Sequence, residues 1–214
     1  MISFLRRYYN YFLWRLGIRK VLPAYFIRRV PVRENGEKLV PWKGKLVREG
    51  VRERLIHAES LLPNGYQLCI REGYRSLNRQ RMLWEKRFQV LRSKYPTYSR
   101  EEIERLTTLG TARGTGNGPH QSGGAVDVCL LNEQGNPIPM GTNIIEFNEK
   151  TPTENPYLTH EERKNRAILV SAMLGAGFIN YPAEWWHYSY GDQMWAAYSR
   201  KPFAVYKAIH LKKK

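Results

Sequence analysis

The stretch Pro119-His120-Gln121-Ser122-Gly123-Gly124-Ala125-Val126-Asp127 constrains this chain more than any other. It sets an imidazole and a carboxylate seven positions apart, with two adjacent glycines between them. That interval would suit two turns of helix, but paired glycines disfavour a helix interior. The spacing instead predicts a loop that carries His120 into a strand from Ala125 to Leu131. Alternate residues of a strand share a face, so Asp127 points with Ala125 and Cys129, opposite Val126, Val128 and Leu130. A carboxylate inside such an apolar strand is costly unless its charge is offset. Two arrangements would offset it: a metal ion with His120 as co-ligand, or hydrogen bonds to a buried Asp beside an unrelated His.

A second stretch bears on that choice. Glu184-Trp185-Trp186-His187-Tyr188 places a Glu and a His three apart. Such a pair shares one side of a helix but lies on opposite sides of an ideal strand. The aromatics predict a strand from Trp185 to Tyr190, with Glu184 at its entrance, where the chain is not yet regular. Taken with His120 and Asp127, this gives two imidazoles and one carboxylate as ligands, plus a spare carboxylate. A catalytic zinc needs such a set: three protein ligands, an open position, and a nearby base. Arg75 follows a strand end and a Gly, where backbone can turn into a cleft, and is the candidate to stabilise an oxyanion.

The rest of the chain frames these stretches. Tyr66 to Ile70 predicts a strand, and Val51, Leu55, Ala58 and Leu62 mark a helical face before it. Ser76 can cap a helix from Leu77 to about Tyr95, with Trp84, Phe88 and Leu91 on its buried stripe. Ser99 with Glu102 and Thr159 with Glu162 are capping boxes for two more helices. Residues 110–118 hold four glycines, a flexible loop placed as a rim beside His120. Between residues 31 and 41, two prolines and an Asn-Gly pair predict turns and short extended pieces. Cys69 and Cys129 fall in predicted strands and read as buried free thiols, with a disulfide between neighbouring strands as the alternative.

Residues 1–33 carry Arg6, Arg7, Arg15, Arg19, Lys20, Arg28, Arg29 and Arg33, and no acidic residue precedes Glu34. As a helix, this segment puts Ile2, Leu5, Tyr9, Phe12 and Leu16 on one stripe, and Phe4, Tyr8, Tyr11 and Trp14 on the arginine side. The arginines interrupt it too often for the apolar core of a secretory signal, so the expected location is cytoplasmic rather than periplasmic. Two readings stand: a helix docked on the domain with its arginines solvated, or peripheral contact with an anionic membrane or wall. The net charge of +16 favours anionic surroundings. No zinc-finger or RNA-binding signature accompanies it, so no nucleic-acid partner is expected. The tail Lys212-Lys213-Lys214 reads as solvated.

Gly73-Tyr74-Arg75, His-x-x-Gly-x-Ala-x-Asp at 120–127 and Glu-x-Trp-His at 184–187 occur in this order and at this spread. Together they resemble the D-alanyl-D-alanine dipeptidases, the VanX-like branch of the zinc D-Ala-D-Ala metallopeptidases (peptidase family M15). Pro139-Met140-Gly141, followed by Glu146-Phe147, is similar to the dipeptidase branch rather than the related carboxypeptidases. The likeness spans roughly residues 45–200. It implies one Zn2+ per chain, held by His120, Asp127 and His187. It implies Glu184 as general base and then acid, and Arg75 as the group that polarises the scissile carbonyl. Glu146 is implied as the acid that holds the substrate's free amino group, with Gly118 and Tyr74 also at the substrate. Gly118 departs from the family pattern, which carries Ser two residues before the first ligand His.

The expected fold is α+β, a single domain with a small, mostly antiparallel central sheet flanked by helices and a zinc site in a cleft. A basic, aromatic N-terminal extension (1–44) would precede the catalytic domain (45–214). The expected function is zinc-dependent hydrolysis of D-alanyl-D-alanine or a similar D-amino-acid dipeptide. The alternatives are a peptidoglycan D,D- or L,D-carboxypeptidase or muropeptide peptidase on the same site, or a non-catalytic wall-binding protein with a structural metal.

Overall fold

A computed structural model describes the backbone of residues 2–18, 20–114, 116 and 118–210, with side chains from residue 9 onward. Arg19, the tail lysines at 212–214 and the side chains of Ile2, Phe4, Leu5, Arg6, Arg7 and Tyr8 lie outside the described residues. Helices α1 (Ile2–Arg15) and α2 (Ala24–Ile27) come before an antiparallel hairpin of β1 (Leu39–Trp42) and β2 (Lys45–Arg48). Helix α3 (Glu49–Ser60) leads into β3 (Gln67–Glu72), and α4 (Leu77–Lys94), α5 (Arg100–Gly110) and the single turn α6 (Pro119–Ser122) follow. Then come β4 (Ala125–Leu131), α7 (His160–Gly175), β5 (Ile179–Asn180), β6 (His187–Ser189) and α8 (Gln193–Tyr198). The strands β3, β4, β6 and β5 form one antiparallel sheet in that order, as the α+β expectation required.

The core explains why β4 lies inside the sheet. Val126, Val128 and Leu130 are wholly buried on one face, with Leu68 and Ile70 of β3 beside them. Val51 and Leu55 of α3, and Leu169 and Met173 of α7, belong to the same cluster. The opposite face carries Asp127. The β3–β4 ladder is bulged there: Ile70 pairs with Val128, but Glu72, not Arg71, pairs with Asp127. The extra residue in β3 therefore sets Glu72 on the face of Asp127.

Local signals start the longer helices. The Ser76 hydroxyl accepts from the Arg79 amide, and both capping boxes, Ser99 with Glu102 and Thr159 with Glu162, are formed. Helices α4 and α5 share a small core of Trp84, Phe88 and Ile103. Cys69 and Cys129 face each other across β3 and β4 as free thiols.

Two expectations change. The strand expected from Trp185 is shorter, because the His187 amide donates to the Glu184 carbonyl (3.2 Å) and closes a turn over both indoles. A strand would send neighbouring indoles to opposite faces. In the turn both are buried, Trp185 donating to Thr142 Oγ1 (2.8 Å) and Trp186 meeting Phe147 edge-on. The docking of α1 is also the reverse of a simple amphipathic reading. Tyr11 stacks on Phe26 at 4.4 Å and Trp14 meets Tyr198 at 6.1 Å, while Tyr9, Phe12 and Leu16 of the apolar stripe stay more than half exposed.

One buried cation joins distant parts of the chain. Arg48 (3% exposed) donates to the carbonyls of Ser122, Glu37 and Lys207 and pairs with Glu34. It thus fastens the residues before β1, the turn that carries His120 and the C-terminal segment. Replacing Arg48 by Met should cost about 3–5 kcal/mol of stability in urea unfolding, because several buried acceptors and Glu34 lose their donor. A loss below about 1 kcal/mol would remove Arg48 from this role.

Candidate active site

The site is built on the face of β4 that carries Asp127. His187 of β6 pairs directly with Asp127 across the ladder, so their side chains share that face. His120 arrives from the turn α6, which Gly123 ends in the left-handed conformation (φ 73°). A Cβ on Gly123 would stand 2.5 Å from Leu39 of the hairpin, so both space and backbone require glycine there.

Asp127 Oδ1 lies 3.3 Å from His120 Nε2 and 3.2 Å from His187 Nδ1. All three side chains are buried, and their ligand atoms lie within 4.8 Å of one another. The Nδ1 of His120 is 2.9 Å from the Gly73 carbonyl; donation there leaves Nε2 free to face Asp127. Ser189 Oγ lies 3.5 Å from the outer nitrogen of His187. Two imidazole nitrogens and one carboxylate oxygen, each oriented by a further partner, fit a catalytic zinc.

The electrostatics agree with this assembly. Burial by itself would raise the Asp127 carboxyl, but the His120 and His187 rings outweigh it and hold the carboxyl well below the usual carboxylate range. Burial lowers His120; at His187 burial pulls the same way, but the hydrogen bond to Asp127 and the charges of Asp127, Glu184 and Asp192 together outweigh it and raise the imidazole. Glu184 stands apart from the three ligands at the start of the indole turn, and it lines the same cleft. Burial, with the Asp127 charge added, pushes its carboxyl up to about 7 against the pull of His187 and Arg75. A buried carboxyl raised in this way suits a group that must both take and give a proton.

Arg75 is buried and points to the same place, its Nη2 3.4 Å from Asp127 Oδ2. Two residues that local pattern could not reveal hold it: Gln80 Oε1 accepts from Nη1 (2.9 Å), and Glu72 Oε2 lies 3.4 Å from Nε. Glu72 owes its orientation to the β3 bulge. Arg87 was also not foreseen. It lines the cleft over the Phe147 ring (4.3 Å), senses the Glu184 charge, and its buried Nε has no hydrogen-bond partner among the described residues.

Gly118 lines the cleft, as expected of a residue near substrate, and the structure explains the absent side chain. A Cβ there would lie 2.2 Å from Gln121 Oε1, so the Gln121 amide fills the space of a serine side chain. Glu146 and Tyr74 are not brought to the cleft. Glu146 is exposed, with its carboxylate accepting from Asn143 and Asn148 of its own loop, while the flanking Ile145 and Phe147 line the cleft instead. The Tyr74 hydroxyl donates to the Ile209 carbonyl (3.0 Å) and ties down the C-terminal segment.

Replacing Asp127 by Asn should reduce bound zinc, read by elemental analysis of the purified chain, from about one per chain to a trace. Glu184→Gln should leave zinc content unchanged. Full zinc retention in Asp127→Asn would end the ligand assignment.

Comparison with known proteins agrees with this geometry. A family model described as D-ala-D-ala dipeptidase matches residues 35–208. A D-alanyl-D-alanine dipeptidase of Synechocystis sp. is 27% identical over 177 residues, covering 71% of each chain. One from Escherichia coli is 30% identical over 125 residues, covering 58% of this chain and 55% of its own length. Among solved structures, VanYB in complex with D-alanine-D-alanine shares the fold, with a TM-score of 0.50 at 16% identity over 84% of this chain and 94% of its own. With a family match over residues 35–208 and a buried His-Asp-His group within it, the chain belongs to the D-Ala-D-Ala dipeptidase family of zinc metallopeptidases.

Proposed function

We propose that the chain hydrolyses the peptide bond of D-alanyl-D-alanine or a similar D-amino-acid dipeptide, with zinc held by His120, Asp127 and His187. The observation that carries this reading is the convergence of Glu184 and Arg75 on that buried group from two different elements. Zinc held there supplies Lewis acidity, which lowers the pKa of water from ~15.7 towards ~7.

The chain's own residues do the rest. Glu184, ionised, takes a proton from the attacking water and later returns it to the leaving amine, which departs neutral. Arg75 presents its guanidinium to the charge that develops on the scissile carbonyl oxygen. Glu72 and Gln80 hold Arg75 in place, so little reorganisation is needed as that charge appears. Trp186 and Phe147 wall the cleft and exclude water from one side. Arg87 offers a counter-charge near Glu184 for the substrate's carboxylate end.

A second reading, removal of a terminal D-alanine from longer wall peptides, is favoured by the shape of the cleft. Its volume is about 1250 Å³, and Arg28, Lys86, Arg87, Lys94, Arg113 and Lys207 line it. Glu146, which would restrict substrates to those with a free amine, is turned outwards. Comparing D-Ala-D-Ala with a muropeptide that ends in D-Ala-D-Ala separates the two readings. Turnover of the dipeptide alone supports the first, and turnover of the muropeptide alone supports the second.

Glu184→Gln should lower kcat by ~10²–10⁴ with little change in KM, and Arg75→Ala by ~10²–10³. Substantial turnover by zinc-loaded Glu184→Gln would displace Glu184 as the base. Because Glu184 must be ionised to accept a proton and its carboxyl is raised to about 7, kcat/KM should fall on the acid side. The charge of bound zinc moves that limb down from about 7 towards the ordinary 4.5. A profile flat from neutrality down past 4.5 would contradict the assignment.

A further inference from the structure

From Tyr9 onward, helix α1 docks by one face and leaves the other exposed. Tyr11 and Trp14 engage Phe26 and Tyr198. Tyr9 (62% exposed), Phe12 (56%) and Leu16 (56%) recur at steps of three and four on the solvent side, and Ile18 (68%) follows just beyond the helix. Four large apolar side chains gathered on one short segment exceed the scattered exposure usual on a monomer's surface.

The charges around this patch are of one sign. Arg15, Lys20, Arg28 and Arg29 are exposed on the same segment, and no acidic residue occurs before Glu34. Lys20 meets Glu154, the one acidic contact recorded for these four among the described residues. A net charge of +16 opposes burial of the patch against a second copy of the same chain. An apolar stripe with aromatic members, rimmed by cations, matches the boundary between headgroups and acyl chains in an anionic bilayer. No helix among the described residues is long and apolar enough to cross a membrane.

We propose that the exposed face of α1, formed by Tyr9, Phe12 and Leu16 with Ile18, seats in the surface of an anionic lipid bilayer, with Arg15, Arg28 and Arg29 at the headgroups. The attached segment also walls the catalytic cleft through Asn10, Leu22, Ala24, Ile27 and Arg28. Docking would therefore hold the cleft beside the membrane surface. This placement does not depend on which peptide the enzyme cleaves.

The test is vesicle flotation of the full chain with phosphatidylcholine alone, and with about a third phosphatidylglycerol added. The chain should float with the anionic vesicles only. The double variant Phe12→Glu, Leu16→Glu should lower the bound fraction about tenfold or more, with circular dichroism and zinc content unchanged. Both residues are exposed and neither lines the cleft, so the variant should fold. Absence of flotation by the parent chain overturns the proposal. So does equal flotation of the double variant, which would reduce the contact to charge alone. A concentration-dependent dimer in sedimentation without lipid, abolished by the double variant, would also overturn it by assigning the stripe to self-association.

Discussion

The ionised carboxylate of Asp127, inside the central strand of the sheet, is the constraint around which the rest is arranged. An apolar strand that contains such a group is tolerable only if other charges reach it. Here His120, His187 and Arg75 reach it from α6, from β6 and from the loop after β3. Each of these is held by a further partner: the Gly73 carbonyl, the Ser189 hydroxyl, and the Glu72 and Gln80 side chains. The order of the strands, the turn at Gly123 and the bulge in β3 all follow from the need to converge on one oxygen pair.

Much of this was legible because it is local. Alternation along Ala125–Leu131 gave the face of Asp127, and Ser76, Ser99 and Thr159 announced the helices they cap. The pairing of His120 with Asp127 needed only their spacing, and Glu184 with His187 needed only the suspicion that the chain was irregular between them. The indoles misled on extent: aromatic residues favour strands, but burying two neighbouring indoles against each other in one core favoured a turn. The direction of a loop side chain was not legible. Glu146 satisfies its carboxylate within its own loop, and Tyr74 spends its hydroxyl on the distant Ile209 carbonyl. Glu72, Gln80, Arg87 and Gln121 matter through contacts that no local spacing announces.

The N-terminal helix shows another limit of the same kind. Periodicity separates two faces of a helix, but it does not say which one the body of the protein covers. Aromatic stacking at Tyr11 and Trp14 decided that, and the face with the cleaner apolar stripe was left outside. Because the same segment walls the cleft, whatever the stripe meets also lies next to a wall of the cleft.

The bulge in β3 carries a consequence for how such a site could arise. In an unbulged ladder Arg71 would oppose Asp127, placing a cation where the ligand set needs free space and removing the Glu72 anchor of Arg75. No single amino-acid exchange converts one arrangement into the other, because the difference lies in the count of residues along the strand. The step between the two registers is therefore the insertion or deletion of one residue in β3. Substitution at Glu72 would loosen the anchor of Arg75 without changing the count of residues that sets the register.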